Sequence, residues 1–346
     1  MQRIEVFSTD TDDGTISVIG KDSAGHHEML KQIPVGNAPR GSVKFTKDGR
    51  GFVSNTSQNT VSELDPISLS ETRKITVGFG PRGLGITPDN KYLIVSNSGE
   101  NSVSIVDLAL NAEVRKIETG RDPRHMAITA DGNTAYVCIW GAGNIAKIDI
   151  SGLSIDNYED VKIVDTIDVG NDAHPYSAAI HPSRGLLFVA NTQADYASVI
   201  NMNTQERTDV PLGAIGGRAI SFTTDEQYAL VSVETVNEVV AIDVDTLQAT
   251  RRIPVGPGPR GIAVDPDDEI LYVTNFNRNK PTFMRVPGGP NMLTAVKLNS
   301  ASLEREDGDE FETFAVEVGY GPCSVSIVDT SKVEAHRSEH RLAGAH

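Results

Sequence analysis

The sequence predicts an all-β fold: a seven-bladed β-propeller with four antiparallel strands per blade. Three observations predict it. The glycine of a V-G-type step recurs at Gly36, Gly78, Gly120, Gly170, Gly213, Gly256 and Gly319, at spacings of 42, 42, 50, 43, 43 and 63 residues, and a period in this range marks a repeat architecture. Each unit reads as a V-G-x-x-P-R-G entry, an apolar run, a D-G-type turn, a Y-V-x-N run, a polar turn, a V-S-I-D run and a last run into the next entry. That is four short strands bounded by Gly, Pro, Asn and Asp, the content of one propeller blade. The runs alternate with period two rather than 3.6, which excludes a helical solenoid.

Taken in order, residues 3–32 hold three strands and no entry: Arg3–Ser8, Thr15–Gly20 and Glu28–Ile33. Residues 317–328 hold an entry and one strand, after which the pattern stops. The two ends complement each other. A seventh blade from about 1–32 plus 317–332 closes the ring and removes its open edges. Residues 1–332 are thus one domain, and 333–346 read as a polar C-terminal tail without order. Blades one and two (about 33–75 and 75–117) are the most regular. Blade three (117–167) is lengthened by Ser151–Val161, between its third and fourth strands. Blades four and five span 167–210 and 210–253. Blade six (253–317) carries two insertions, Phe276–Asn291 after its second strand and Asn299–Glu312 after its third.

The first strand of each unit is sharply two-sided. Leu84/Ile86, Met126/Ile128 and Ile262/Val264 form an apolar face, while Gly83/Gly85, Ser177/Ala179 and Gly261/Ala263 form a small one. Strands crowd near a central axis, so this strand is innermost and its small face lines the channel. Entry loops and the loops after second strands then share one face, the channel mouth, with the Phe276–Asn291 insertion above it. The acidic Glu304–Glu312 segment falls on the opposite face.

Composition narrows the function. There are 31 Lys and Arg against 47 Asp and Glu, a net charge of −16. That argues against nucleic acid and anionic membranes as partners. No run approaches the length of a membrane span, and no apolar leader opens the chain, so a cytoplasmic location is expected, or a secreted one if a leader was removed. Cys138 and Cys323 make no disulfide framework. Cys323 stands after an entry proline, where it is either a thiol at the mouth or a small buried residue.

Tyr272-Val273-Thr274-Asn275 spells the signature of the YVTN family of β-propeller repeats, and 52–55, 94–97 and 188–191 are variants of it. The chain resembles that family over nearly its whole length. Pro123-Arg124-His125 and the His174-Pro175 segment are also similar to the lactonase and cycloisomerase branch of seven-bladed propellers. That likeness implies catalysis by a His, a Glu and Arg residues around the channel, matched in type here by His125, Glu234 and the arginines.

The residue after the entry proline carries most of the chemistry: Arg40, Arg82, Arg124, Tyr176, Arg218, Arg260 and Cys323 around the ring. Five guanidiniums at one mouth, about 10 Å apart, would repel pairwise by about 0.4 kcal/mol in water and about 1.7 kcal/mol at an effective dielectric of 20. They either attract an anion, carboxylate or phosphate, or pair one by one with acidic neighbours. His125 takes a position filled elsewhere by Gly83, Ser177, Ala219 and Gly261, so it should reach the channel as a general acid or base. Trp140 and His174 belong at the rim as substrate-binding residues. Glu234 follows the strand end at which Val233 replaces the Asn of other blades, and it or Tyr176 would assist His125.

Asp10, Asp12, Asp13 and Gly14 look like the start of a calcium loop, but the loop's last ligand would be Lys21 instead of Glu, so they read as a turn. No metal site and no cofactor are expected, with a divalent cation left open. Asn55, Asn97, Asn191 and Asn275 read as turn caps. The expected function is an enzyme acting on a small anionic or lactone-like metabolite in the central channel, of hydrolase, lyase or isomerase type. The alternative is a non-catalytic scaffold binding a protein or ligand on the same face.

Overall fold

The computed structural model describes every residue except 1–2, 23–24, 154–156, 266, 268, 277–290, 305, 307–309 and 344–346. It consists of seven four-stranded antiparallel sheets arranged as a propeller. Blade one runs Pro39–Phe45, Gly51–Asn55, Thr60–Asp65 and Ser70–Thr76 from axis to rim. The innermost strands of blades two to seven are Pro81–Ile86, Pro123–Ile128, Pro175–Ile180, Gly217–Phe222, Pro259–Asp265 and Pro322–Asp329. The expected closure is formed. Pro322–Asp329 pairs with Ile4–Asp10 in antiparallel register, Val6 opposite Ile327, and Thr15–Lys21 and His27–Pro34 complete that blade.

The cores lie between blades. Phe7, Val18 and Ile33 of blade seven pack on Val43, Val53 and Leu64 of blade one. Phe52, Val61 and Ile75 of blade one pack in turn on Leu84, Leu93 and Val95 of blade two. Second and third strands are therefore covered on both faces, and Tyr92–Asn97 and Ser102–Asp107 are buried throughout. Outermost strands keep one inward residue, such as Ile75 in Ser70–Thr76. This explains why middle strands read as near-continuous apolar runs and the rim strands as mixed ones.

Two repeat devices fix the mouth. The residue before each entry proline, or before its counterpart Gly217, is left-handed: Ala38 (φ 53°), Gly80 (65°), Asp122 (58°), His174 (52°), Gly216 (105°), Gly258 (68°) and Gly321 (69°). The next residue is thereby aimed at the axis. A serine on the second strand then holds the backbone of the neighbouring blade. Ser54 donates to the Arg82 carbonyl (2.6 Å), Ser96 to that of Arg124, and Ser232 to that of Arg260 (2.6 Å). The third position of the Y-V-S-N motif is thus an inter-blade clamp on the arginine ring.

The motif asparagines do more than cap turns. Asn97 is fully buried and donates to Ser102 (2.9 Å) and Ser104 (2.7 Å) on the third strand, and Asn55 also accepts from the Gly36 amide (3.0 Å). They rivet strands two and three together beneath the entry.

The C-terminal segment departs from expectation. It is a helix, Thr330–Ala343, and not a disordered tail. Asp329 Oδ1 accepts from the amides of Ser331 (3.0 Å) and Lys332 (3.2 Å), an N-cap. Val333 is 5% exposed and packs in the core between blades seven and one. Arg337 donates to the Asp48 carbonyl (2.9 Å) and to Asp65 Oδ1 (3.1 Å) of blade one.

Candidate active site at the channel mouth

The innermost strands carry the ring residues, but not as five equivalent cations. Blades five and six carry a compensated group. Glu234 receives Arg218 Nε on one oxygen (2.6 Å) and Arg260 Nε (3.0 Å) and Nη2 (2.7 Å) on the other. Burial alone would raise its pKa. The Arg260 and Arg218 guanidiniums outweigh that and hold the carboxyl below its usual range. Arg260 is only 6% exposed, and Phe276 covers it with the ring centroid 4.1 Å from Cζ.

Blade three is half compensated. Arg124 donates to Asp122 (2.5 Å) and lies over Trp140 (5.0 Å) and Tyr176 (5.7 Å). Blades one and two have no directly bonded carboxylate among the described residues, and of the carboxylates only Asp122 acts on Arg82 through space. Arg40 and Arg82 make no side-chain hydrogen bond or ion pair among the described residues, and the Nε atoms of both are buried without a partner. Burial, then Arg124 and Arg40, push the Arg82 guanidinium down to about 10, still a cation at neutral pH. Three ring arginines thus pair with carboxylates, and two do not among the described residues.

His125 sits among these cations. Burial, then the charges of Lys44, Arg124, Arg82 and Arg40, push it down to about 3, so the ring is neutral. It leans on Tyr176, centroids 5.1 Å apart, and makes no hydrogen bond to any described residue. The expected help from Glu234 is not formed, because both oxygens of that carboxylate are engaged by guanidiniums. Tyr176, by contrast, is beside His125 and spans the arginines of blades three and five, 4.9 Å from Arg218 Cζ.

Trp140 and His174 reach the rim as a locked pair. Their rings are 4.2 Å apart, His174 Nδ1 lies 2.8 Å from the Trp140 carbonyl, and Trp140 Nε1 donates to Thr192 (3.0 Å). His174 also occupies the left-handed entry position. The pair forms a wall that stacks on Arg124. The expected cover over the mouth, Phe276–Asn291, lies outside the described residues for 277–290.

Lys44 is the residue the sequence reading passed over. It lines the channel cavity, about 100 Å³, with His125, Tyr176, Arg218, Arg260 and Cys323. Its pairing partner Phe52 is the counterpart of Ile94, which faces Gly85 in blade two. Lys44 therefore stands where the other blades place Gly85, Ala127, Ala179, Ser221, Ala263 and Ser326. One extra residue puts it there. Pro39 to Asp48 spans nine positions, against eight from Pro81 to Asp89. The register shifts between Arg40 and Lys44, and Gly41 takes a φ of 73° to absorb the bulge. That count was the available signal. Cys323, 4% exposed, lies 4.0 Å from Arg260 Nη1; burial would raise the thiol, but Arg260 and Arg40 bring it below its ordinary value.

Among the described residues, no three His, Cys, Asp or Glu are placed to hold a metal ion, and no helix is long and apolar enough to cross a membrane.

Comparison with known proteins bears on the family. A family model described as "Lactonase, 7-bladed beta-propeller" matches residues 2–251. No curated protein matches the chain. Among solved structures, a putative 6-phosphogluconolactonase from Bacteroides fragilis is similar with a TM-score of 0.77 at 15% identity, over 94% of this chain and 98% of that one. The periplasmic gluconolactonase of Pseudomonas aeruginosa gives 0.75 at 17%, over 94% and 99%. Hydrazine synthase of Kuenenia stuttgartiensis gives 0.66 at 21%, over 85% and 97%. At these identities the structural likenesses speak for the fold.

Proposed function

The chain belongs to the seven-bladed β-propeller lactonase family, and from that premise we propose that it hydrolyses an anionic lactone at the channel mouth. One observation carries the reading: two ring guanidiniums with no carboxylate bonded to them among the described residues, Arg40 and Arg82, stand beside a neutral, unbonded imidazole, His125. The structural likeness to a putative 6-phosphogluconolactonase and to a gluconolactonase supports sugar lactones as the class.

In this reading Arg40 and Arg82 take the substrate's phosphate or carboxylate. His125 accepts a proton from water as the water oxygen bonds to the lactone carbonyl carbon. The ring C–O bond then breaks, and the leaving alkoxide takes that proton back to give the hydroxy acid. The free imidazole is a weak base because burial, and after it the surrounding cations, disfavour its protonated form. A docked anion offsets those cations, so its proton affinity rises when substrate is present. The cationic rim also stabilises the oxyanion of the tetrahedral intermediate. Glu234 fixes Arg218 and Arg260 and moves no proton.

The test is turnover of a panel of aldonolactones with and without a phosphate, followed by acid release. Phosphorylated members should be preferred, and His125→Ala should lower kcat about 100-fold or more while leaving anion binding in place. Replacing Arg40 and Arg82 together by Leu should raise KM for the phosphorylated lactones and spare the neutral ones. Anion binding without turnover of any lactone would favour a non-catalytic binding module. Full activity in His125→Ala would remove the mechanism.

A further inference from the structure

We propose that Lys44 is a reactive amine that captures a 2-oxo acid as an imine, with the acid's carboxylate held by Arg40 and Arg82. This goes beyond lactone hydrolysis, and it rests on the proposed reading only in taking Arg40 and Arg82 as the anion site and His125 as the proton carrier. Lys44 is the single lysine at the small-residue tier of the channel, where the other blades carry Gly, Ala or Ser. Its amine therefore faces open cavity instead of a packed wall. No carboxylate or hydrogen-bond acceptor among the described residues holds it, and burial alone lowers its pKa. A lysine short of counter-charge and desolvated is a nucleophile, whereas a salt-bridged surface lysine is not. Arg40 lies on the same strand across the Gly41 bulge; it and Arg82 act, like Lys44, on the His125 imidazole, and their Nε atoms are buried without a partner. A ligand suited to both features carries a carboxylate next to a carbonyl.

The step balances without an external reagent. The Nζ lone pair bonds to the carbonyl carbon and an amine proton moves to the former carbonyl oxygen, giving a carbinolamine. A second proton then reaches that oxygen, its C–O bond breaks, and water leaves as the C=N bond forms. His125, neutral and unbonded in the same cavity, is placed to carry these protons.

The experiment is reductive trapping on the full chain. The protein is incubated with pyruvate and sodium cyanoborohydride, and in parallel with acetaldehyde, which lacks the carboxylate. Adducts are then mapped by peptide mass spectrometry. The proposal expects pyruvate to label Lys44 at least about tenfold faster than any other lysine, with inorganic phosphate slowing that labelling by a similar factor. Acetaldehyde should show no such preference, and Lys44→Arg, which keeps the charge, should abolish the fast adduct. Even labelling of all lysines by pyruvate overturns the proposal, as does equal preference for Lys44 with acetaldehyde. The phosphate competition uses the unmutated protein, so the result stands even where a variant folds poorly. Loss of lactone turnover in a separate assay bears only on the hydrolytic reading.

Discussion

At the scale of single residues, the mouth is decided by which cations have partners. The recurrence of Arg after the entry proline is plain in the sequence, and so is the departure His125. The division of the ring is not, because Glu234 reaches two arginines from a loop whose course depends on tertiary packing. It serves Arg218 and Arg260 together, so losing its charge leaves two guanidiniums uncompensated. Glu234→Gln should lower the unfolding free energy by about 3 kcal/mol, the usual cost of breaking a buried pair, measured by urea denaturation. An effect on catalysis much larger than this loss predicts would make Glu234 a proton carrier after all. Lys44 was legible only by counting: the extra residue before Asp48 shifts every side chain after it to the other face.

At the scale of elements, the strands were legible and their irregularities were not. Period-two alternation locates each innermost strand to within a residue or two, because crowding at the axis forces small side chains onto one face. The bulge at Gly41 has no such signature, since glycine follows the entry arginine in blades two and six as well. Its φ of 73° and the Arg82 carbonyl, 2.8 Å from a would-be Cβ, leave no room for a side chain. Gly41→Ala should cost about 1–2 kcal/mol of stability from left-handed strain alone, and should abolish any selective labelling of Lys44 by displacing the bulge. The C-terminal helix shows the converse. Its composition is polar, so it reads as tail, yet one side chain docks it: Val333 fills the space above Gly49, whose Cβ would lie 2.2 Å from Val333 Cγ1. Val333→Ala should destabilise by about 1–2 kcal/mol. An unchanged thermal midpoint would mean the helix contributes nothing to closure.

At the scale of the whole molecule, stability should follow three titratable groups, shifted chiefly by burial, that do not agree. His125 and His27 are pushed down to about 3 and about 4, chiefly by burial, with His27 Nε2 lying 2.6 Å from the Tyr272 hydroxyl. In the unfolded chain both take a proton near 6.5. Between pH 4.5 and 6.5 the unfolded state therefore binds up to two more protons, and stability rises with pH. Asp10 works the other way. It sits at the ring-closing seam, where blades one, two, four and six carry Asn55, Asn97, Asn191 and Asn275, and it accepts from Ser17 (2.7 Å) and Thr15 (3.0 Å). Burial, with Asp13 adding to it and the hydroxyls opposing, raises its carboxyl to about 7. The folded state then holds a proton that the unfolded chain has released above pH 4, so this contribution to stability falls as pH rises through the same window. Two protons against one leave a net rise of about 1.4 kcal/mol per pH unit at most. Asp10→Asn restores the repeat's own residue, removes the opposing proton and leaves the histidines. Its slope between pH 4.5 and 6.5 should approach twice the wild-type value, and above pH 7 the variant should be the more stable by a few kcal/mol, read from urea unfolding at each pH. Identical slopes for the two proteins would mean that the closing strand carries an ordinary, ionised aspartate, and that the seam tolerates a charge that the asparagine blades never meet.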